Sequence, residues 1–84
     1  MSETFLTFND HEVEEKYGKE KLIPVKTYSI KKKYVSYLTE NTTNDGEIFT
    51  EVHLDQDNDL DLDVDILLIN SPLKTVQDYI NSQV

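Results

Sequence analysis

Residues 55–65 read DQDNDLDLDVD and place Asp55, Asp57, Asp59, Asp61, Asp63 and Asp65 at every second position. Carboxylates so spaced could ligate a cation, keep a surface solvated, or offer a row of negative charge to a cationic partner. Calcium fails on spacing. An EF-hand loop needs acids at its first, third and fifth positions, glycine at the sixth and glutamate at the twelfth. Starting from Asp55, Asp57 or Asp59, the sixth residue is Leu60, Leu62 or Val64, and the twelfth is Ile66, Leu68 or Asn70. Aspartates on one face of a strand also project in parallel, which suits convergent ligation poorly. Zinc fares no better: His11 and His53 are the only histidines, they lie far apart, and there is no cysteine. No metal and no cofactor are expected.

Catalytic patterns are missing too. The chain has no glycine-rich phosphate loop, no G-x-S-x-G and no Cys–His pair. A carboxylate pair can be drawn from any set of seventeen acids, so such a pair carries no information. A non-enzymatic protein is expected.

Charge is the strongest signal. Seventeen acids face eight basic residues, for a net charge of −9. That field repels nucleic acid and anionic membranes and attracts basic partners. It is also zoned. Residues 16–33 hold seven lysines and only Glu20 as an acid, whereas residues 34–84 hold eleven acids and only Lys74 as a base. The 84 residues suit one small domain, 1–84, with a modest core. The absence of cysteine suits a reducing compartment. The start, MSETFLTFND, lacks the basic and apolar regions of a secretory signal, and the run of residues 66–69 is too short to span a bilayer. A cytoplasmic protein is expected. Arginine and alanine are absent while Asn, Lys and Ile are frequent, which suggests AT-rich coding in a bacterial host or its phage.

The elements that would position the aspartates follow from local patterns. Residues 4–8 form a short strand or an apolar arm. Asn9 and Glu12 have capping-box spacing, Val13 and Tyr17 share a helical face, and Gly18 suits a stop, so a short helix is expected over residues 9–18. Residues 22–30 read as a strand, with Pro24 at an edge. Lys31, Lys32 and Lys33 follow, as an edge gatekeeper or a counter-charge to the aspartates. Residues 34–39 and 48–54 flank the turn signal Asn44-Asp45-Gly46 and make a β-hairpin. Leu60, Leu62, Val64, Ile66 and Leu68 form the apolar face of a further strand, with Asp61, Asp63 and Asp65 opposite. Ser71 as N-cap and Pro72 at the first helical position open a helix with Leu73, Val76 and Ile80 as its stripe. The expected fold is α+β: a small, mostly antiparallel sheet of three to four strands with one or two short helices packed on it.

If the hairpin pairs with the aspartate strand, Glu47 and Glu51 join Asp61, Asp63 and Asp65 on one outer face, with Phe49 either an exposed aromatic anchor between them or part of a second small core under a helix. Asp57 and Asp59 extend that patch. Alternate strand residues are spaced by about 6.7 Å, against about 3.4 Å per phosphate along one DNA strand, so the row is a sparse imitation of a nucleic-acid backbone. The expected function is an acidic inhibitor that occludes the basic nucleic-acid-binding groove of a target protein, such as a CRISPR effector, a nuclease or a DNA repair or restriction enzyme. In size and charge the chain is similar to anti-CRISPR proteins and to the phage uracil-DNA glycosylase inhibitor, and no motif is shared with either. The alternative is a protein-interaction module or small regulatory subunit that binds through apolar sheet surface around Tyr34, Tyr37 or Phe49. The zoned charge also permits a homodimer.

Overall fold

The computed structural model describes residues 3–56 and 64–83. In these residues the chain runs β1 (Phe5–Lys16), β2 (Lys19–Lys31), a 3-10 turn (Lys32–Tyr34), β3 (Val35–Thr42), β4 (Ile48–Leu54), β5 (Ile66–Ile69) and α1 (Leu73–Ser82). The fold is α+β, with two antiparallel sheets, β1-β2 and β3-β4-β5, and one C-terminal helix. A single sheet was expected; the chain instead builds two.

The expected helix over 9–18 is absent, and those residues continue β1 into a turn. Lys16 pairs with Lys19, and Tyr17 and Gly18 both have positive φ, 56° and 75°. That is the two-residue turn whose twist matches the strands it joins. Capping-box spacing is a local preference, and pairing with β2 overrides it. The hairpin carries one irregularity: Asp10 pairs with Lys26 but His11 with Pro24, leaving Val25 as an extra residue. Such a bulge bends and twists a ribbon, and Pro24, which cannot donate to a ladder, sits there at low cost.

The bend lets the long hairpin serve two places. Its first half contributes Leu6, Phe8 and Ile30 to the main core with Val52, Leu54, Leu67 and Val76. At the bulge, Asp10 and His11 meet the free edge of β5. Asp10 Oδ1 accepts from the Leu68 N–H at 2.9 Å, and His11 Nδ1 donates to the Leu68 carbonyl at 3.0 Å. Beyond the bulge the arm reaches the β3–β4 turn. Glu20 N–H donates to Asn44 Oδ1, Asn44 N–H donates to Glu20 Oε1, and Asn44 Nδ2 donates to Gly18 O. Leu22 on the arm and Phe49 on β4 are buried outside the main cluster. By strand alternation Phe49 lies on the face opposite Val52.

Helix α1 covers the first face. Pro72 is its N-cap, one residue later than the expected Ser71. The N-terminal amide of Leu73 donates to Glu40 Oε2 at 2.9 Å, which places a carboxylate at the positive end of the helix. Ser71 acts otherwise, as its carbonyl accepts from the buried Thr50 hydroxyl.

Asp10→Ala should destabilise the fold by about 1–3 kcal/mol, because it strands the Leu68 and His11 amides. Urea denaturation measures the loss, and faster hydrogen exchange at Leu68 than at Val52 would place it at the β1–β5 crossing.

Candidate functional site

The aspartate row falls in the connection between β4 and β5. Asp57, Asp59, Asp61 and Asp63 lie outside the described residues, as does the start of the expected strand over 60–69. The described part of that strand is β5, which begins at Ile66. Asp65 is therefore outside the strand and exposed, as is Asp55. The two ends of the connection are held side by side, since the Leu54 N–H donates to the Asp65 carbonyl at 2.8 Å. The described ends of the connection, Asp55 and Asp65, thus lie at one end of the sheet and are held there by backbone hydrogen bonds.

Lysines share that end. The Asp55 N–H donates to the Tyr34 carbonyl at 2.8 Å, which brings the 3-10 turn against the root of the connection. Lys31 and Lys33 lie over the Tyr34 ring, 6.0 and 5.3 Å from its centroid. Both also reach Glu3, at 3.2 and 3.4 Å. The hydrogen bond from Lys31 holds the Glu3 carboxyl below its ordinary range; desolvation opposes this, and the bond from Lys33 adds to it. Lys32 Nζ donates to the Gln83 carbonyl just past α1.

Of the expected five-carboxylate patch, Asp61 and Asp63 lie outside the described residues, and among the described residues Glu47 and Glu51 are not set beside Asp65. Pairing places Thr50–His53 against Ile66–Ile69, so Glu51 faces Leu68 across the ladder. The reason is packing: this register sets the fully buried Leu67 opposite the fully buried Val52. Glu47 precedes β4 at the end away from Asp55, and with the seven residues of β4 between them the two are about 26 Å apart along the strand. Glu51 is engaged internally, accepting hydrogen bonds from Asn41 Nδ2 and from the Thr39 hydroxyl. Phe49, expected as an exposed anchor, is only 8% exposed and is part of the structure's interior. Of the two arrangements its position allowed, burial is the one adopted.

Aromatic exposure lies elsewhere. Tyr37 stacks on His53 at 4.1 Å between centroids and stays 56% exposed. Tyr17, at the hairpin tip, is 93% exposed. Among the described residues no group of three or more His, Asp or Glu side chains is placed to hold a metal ion. No described helix is long and apolar enough to cross a membrane. Comparison with family models, curated proteins and solved structures finds no match to this chain.

Asp10 and His11 are the polar residues that the sequence reading placed wrongly. Their neighbours Asn9 and Glu12 imitate a helix start, and nothing local marks His11 as a donor to a strand 57 residues away. Tyr17-Gly18 carries only half of a hairpin turn signal, since asparagine or aspartate is the usual first residue.

Because the Glu3 carboxyl titrates below its unfolded value, its stabilising contribution is complete above the unfolded pKa and disappears as pH falls through the folded one. Carbon-detected NMR titration of Glu3 should show that lowered midpoint, and Lys31→Gln with Lys33→Gln should return it to the ordinary glutamate range.

Proposed function

We propose that this chain is a non-catalytic acidic inhibitor that binds the basic nucleic-acid groove of a target protein through the connection spanning Asp55 to Asp65. One observation carries the reading: six aspartates at alternate positions belong to a single connection whose two ends lie side by side at one end of the sheet. The net charge of −9, with eleven acids against one lysine in residues 34–84, supports it. An anionic surface of this kind associates quickly with a groove lined by lysine and arginine, and salt weakens it. The target class is a nucleic-acid-processing protein, with CRISPR effectors, nucleases and DNA repair or restriction enzymes as examples, and a phage or mobile-element origin fits the composition. Glu47, Glu51 and Phe49 are left out of the binding surface. The contact set is Asp55, Asp57, Asp59, Asp61, Asp63 and Asp65.

A second reading rests on a different feature. The Tyr37–His53 stack leaves Tyr37 exposed, and an interaction module would bind there with its acids serving solubility.

Asn at positions 57, 59, 61 and 63 distinguishes the two. Immobilised wild-type protein should retain basic proteins from nuclease-treated bacterial lysate and release them to added duplex DNA. The four-fold Asn variant, folded by circular dichroism, should retain at least about tenfold less, a loss of roughly 1.4 kcal/mol. Equal retention by the variant, together with indifference to DNA, would sink the groove reading.

A further inference from the structure

The strand edges of this chain are protected unequally. β2 carries Lys19, Lys21, Lys26 and Lys31, together with Pro24 and a bulge, all devices that discourage a further strand. On the outer edge of β5, Leu68 is bonded by Asp10 and His11. β3 forms the opposite edge of that three-stranded sheet. Val35–Thr42 contains no lysine and no proline, and its one charged side chain, Glu40, accepts from the Leu73 amide. Past a single irregularity between Val35 and Tyr37 its pairing with β4 is regular to Thr42, and Val, Tyr and Thr favour strands.

The backbone of β3 is set to accept a neighbour. Leu68 gives both its backbone groups to Asp10 and His11, so Glu51 and Leu68 form a non-hydrogen-bonded pair and the adjacent Val52 and Leu67 a hydrogen-bonded one. Val52 thus turns its amide and carbonyl toward β5. Leu38, which faces Val52 from the other side, turns its own outward, and so does Glu40 two residues on. Beside this edge lies a shallow groove of about 320 Å³ between β3 and α1, with Val35, Leu38, Leu73 and Ile80 in its lining. A strand added at β3 would lay alternate side chains over that groove.

We infer that β3 of one copy pairs antiparallel with β3 of a second copy about a two-fold axis at Leu38, joining the two three-stranded sheets into one. The strand's match to itself identifies the occupant. With the axis at Leu38, leucine faces leucine over the groove, and Tyr37 faces Thr39 of the second copy, a favourable aromatic and β-branched pair. The two Glu40 side chains lie on opposite sides of the axis. A shift of two residues would set Glu40 opposite Leu38 over the apolar groove, and a further shift of two would set Glu40 against Glu40. Burial and charge therefore select one register. The net charge of −9 on each copy opposes association, and the antiparallel arrangement limits that cost. Leu54 pairs with Val35 and bonds to Asp65, so Asp55 and Asp65 lie at the Val35 end of β3. The axis is three residues away, which sets these acidic ends of the two copies roughly 20 Å apart along the strands, beyond the screening length of about 8 Å at physiological salt. The same edge is used on both copies, so the contact closes at two.

Sedimentation equilibrium of the full chain from micromolar to millimolar concentration should show a dimer. Hydrogen exchange at the Leu38 amide, followed by NMR, should slow as concentration rises, while that of Thr39, whose amide is already turned to β4, should change far less. Leu38→Lys sets two ammonium groups against each other at the axis and should raise the Kd at least about tenfold. The same substitution makes the chain less acidic, which by itself favours association, so weakening reports the edge and not the overall field. Ser29→Lys makes an equal charge change at an exposed position of β2 and should leave the dimer intact. A wild type that stays monomeric, a Leu38 amide indifferent to concentration, or a dimer that Leu38→Lys leaves unweakened overturns the inference. Protection of that amide by an added extended peptide, in a monomeric wild type, would give the edge to another protein's strand instead. If Leu38→Lys fails to fold, the wild-type exchange result decides alone.

Discussion

The structure turns on one place, where Asp10 and His11 bond both backbone groups of Leu68 on the free edge of β5. An exposed sheet edge offers unpaired donors and acceptors and invites wrong pairing. Here two side chains occupy that edge where a neighbouring strand would otherwise continue the ladder. The bulge at Asp10/His11 provides the bend that aims them. Before that point Leu6 and Phe8 pack into the core shared with α1, and after it the arm extends to Asn44. The molecule keeps an extended outline, 50 × 27 × 17 Å, because the arm spans it from end to end.

That arrangement also sorts the charge. The aspartate-rich connection leaves from the end of the sheet where β4 stops and β5 begins, with Tyr34, Lys31 and Lys33 around its root. The hairpin tip, with Lys16, Lys19 and Lys21, sits at the other end beside the β3–β4 turn. Lysines near the connection shorten the reach of its field, while lysines at the tip make a cationic spot on an acidic protein. The two ends therefore differ in local charge, which the net charge alone does not convey.

Some of this was legible in advance. The β3–β4 hairpin follows from alternation in residues 48–54 and from Asp45-Gly46, and Gly46 indeed takes a positive φ of 88°. The C-terminal helix follows from its apolar stripe and from Pro72. Residues 9–18 were misread because their apolar content is too sparse to show a period: Val13 and Tyr17 fit a helix by spacing, and the Tyr17-Gly18 turn that joins Lys16 to Lys19 carries only half of a hairpin signal. Phe49 was legible as a residue with two possible surroundings. Its burial, at 8% exposure, is decided by the tertiary structure.

The sequence by itself determined the α+β class, the acidic balance, the failure of calcium and zinc patterns, and the row of aspartates, since these depend on composition and near-neighbour spacing. Only the tertiary structure decided that the chain forms two sheets, that Glu51 faces Leu68 and is held by Thr39 and Asn41, and that Tyr17 rather than Phe49 is the outward aromatic. Those outcomes depend on which strand edge meets which and in what register. Register is set by the burial of Leu67 against Val52, a contact between residues too far apart in sequence for any local pattern to reveal.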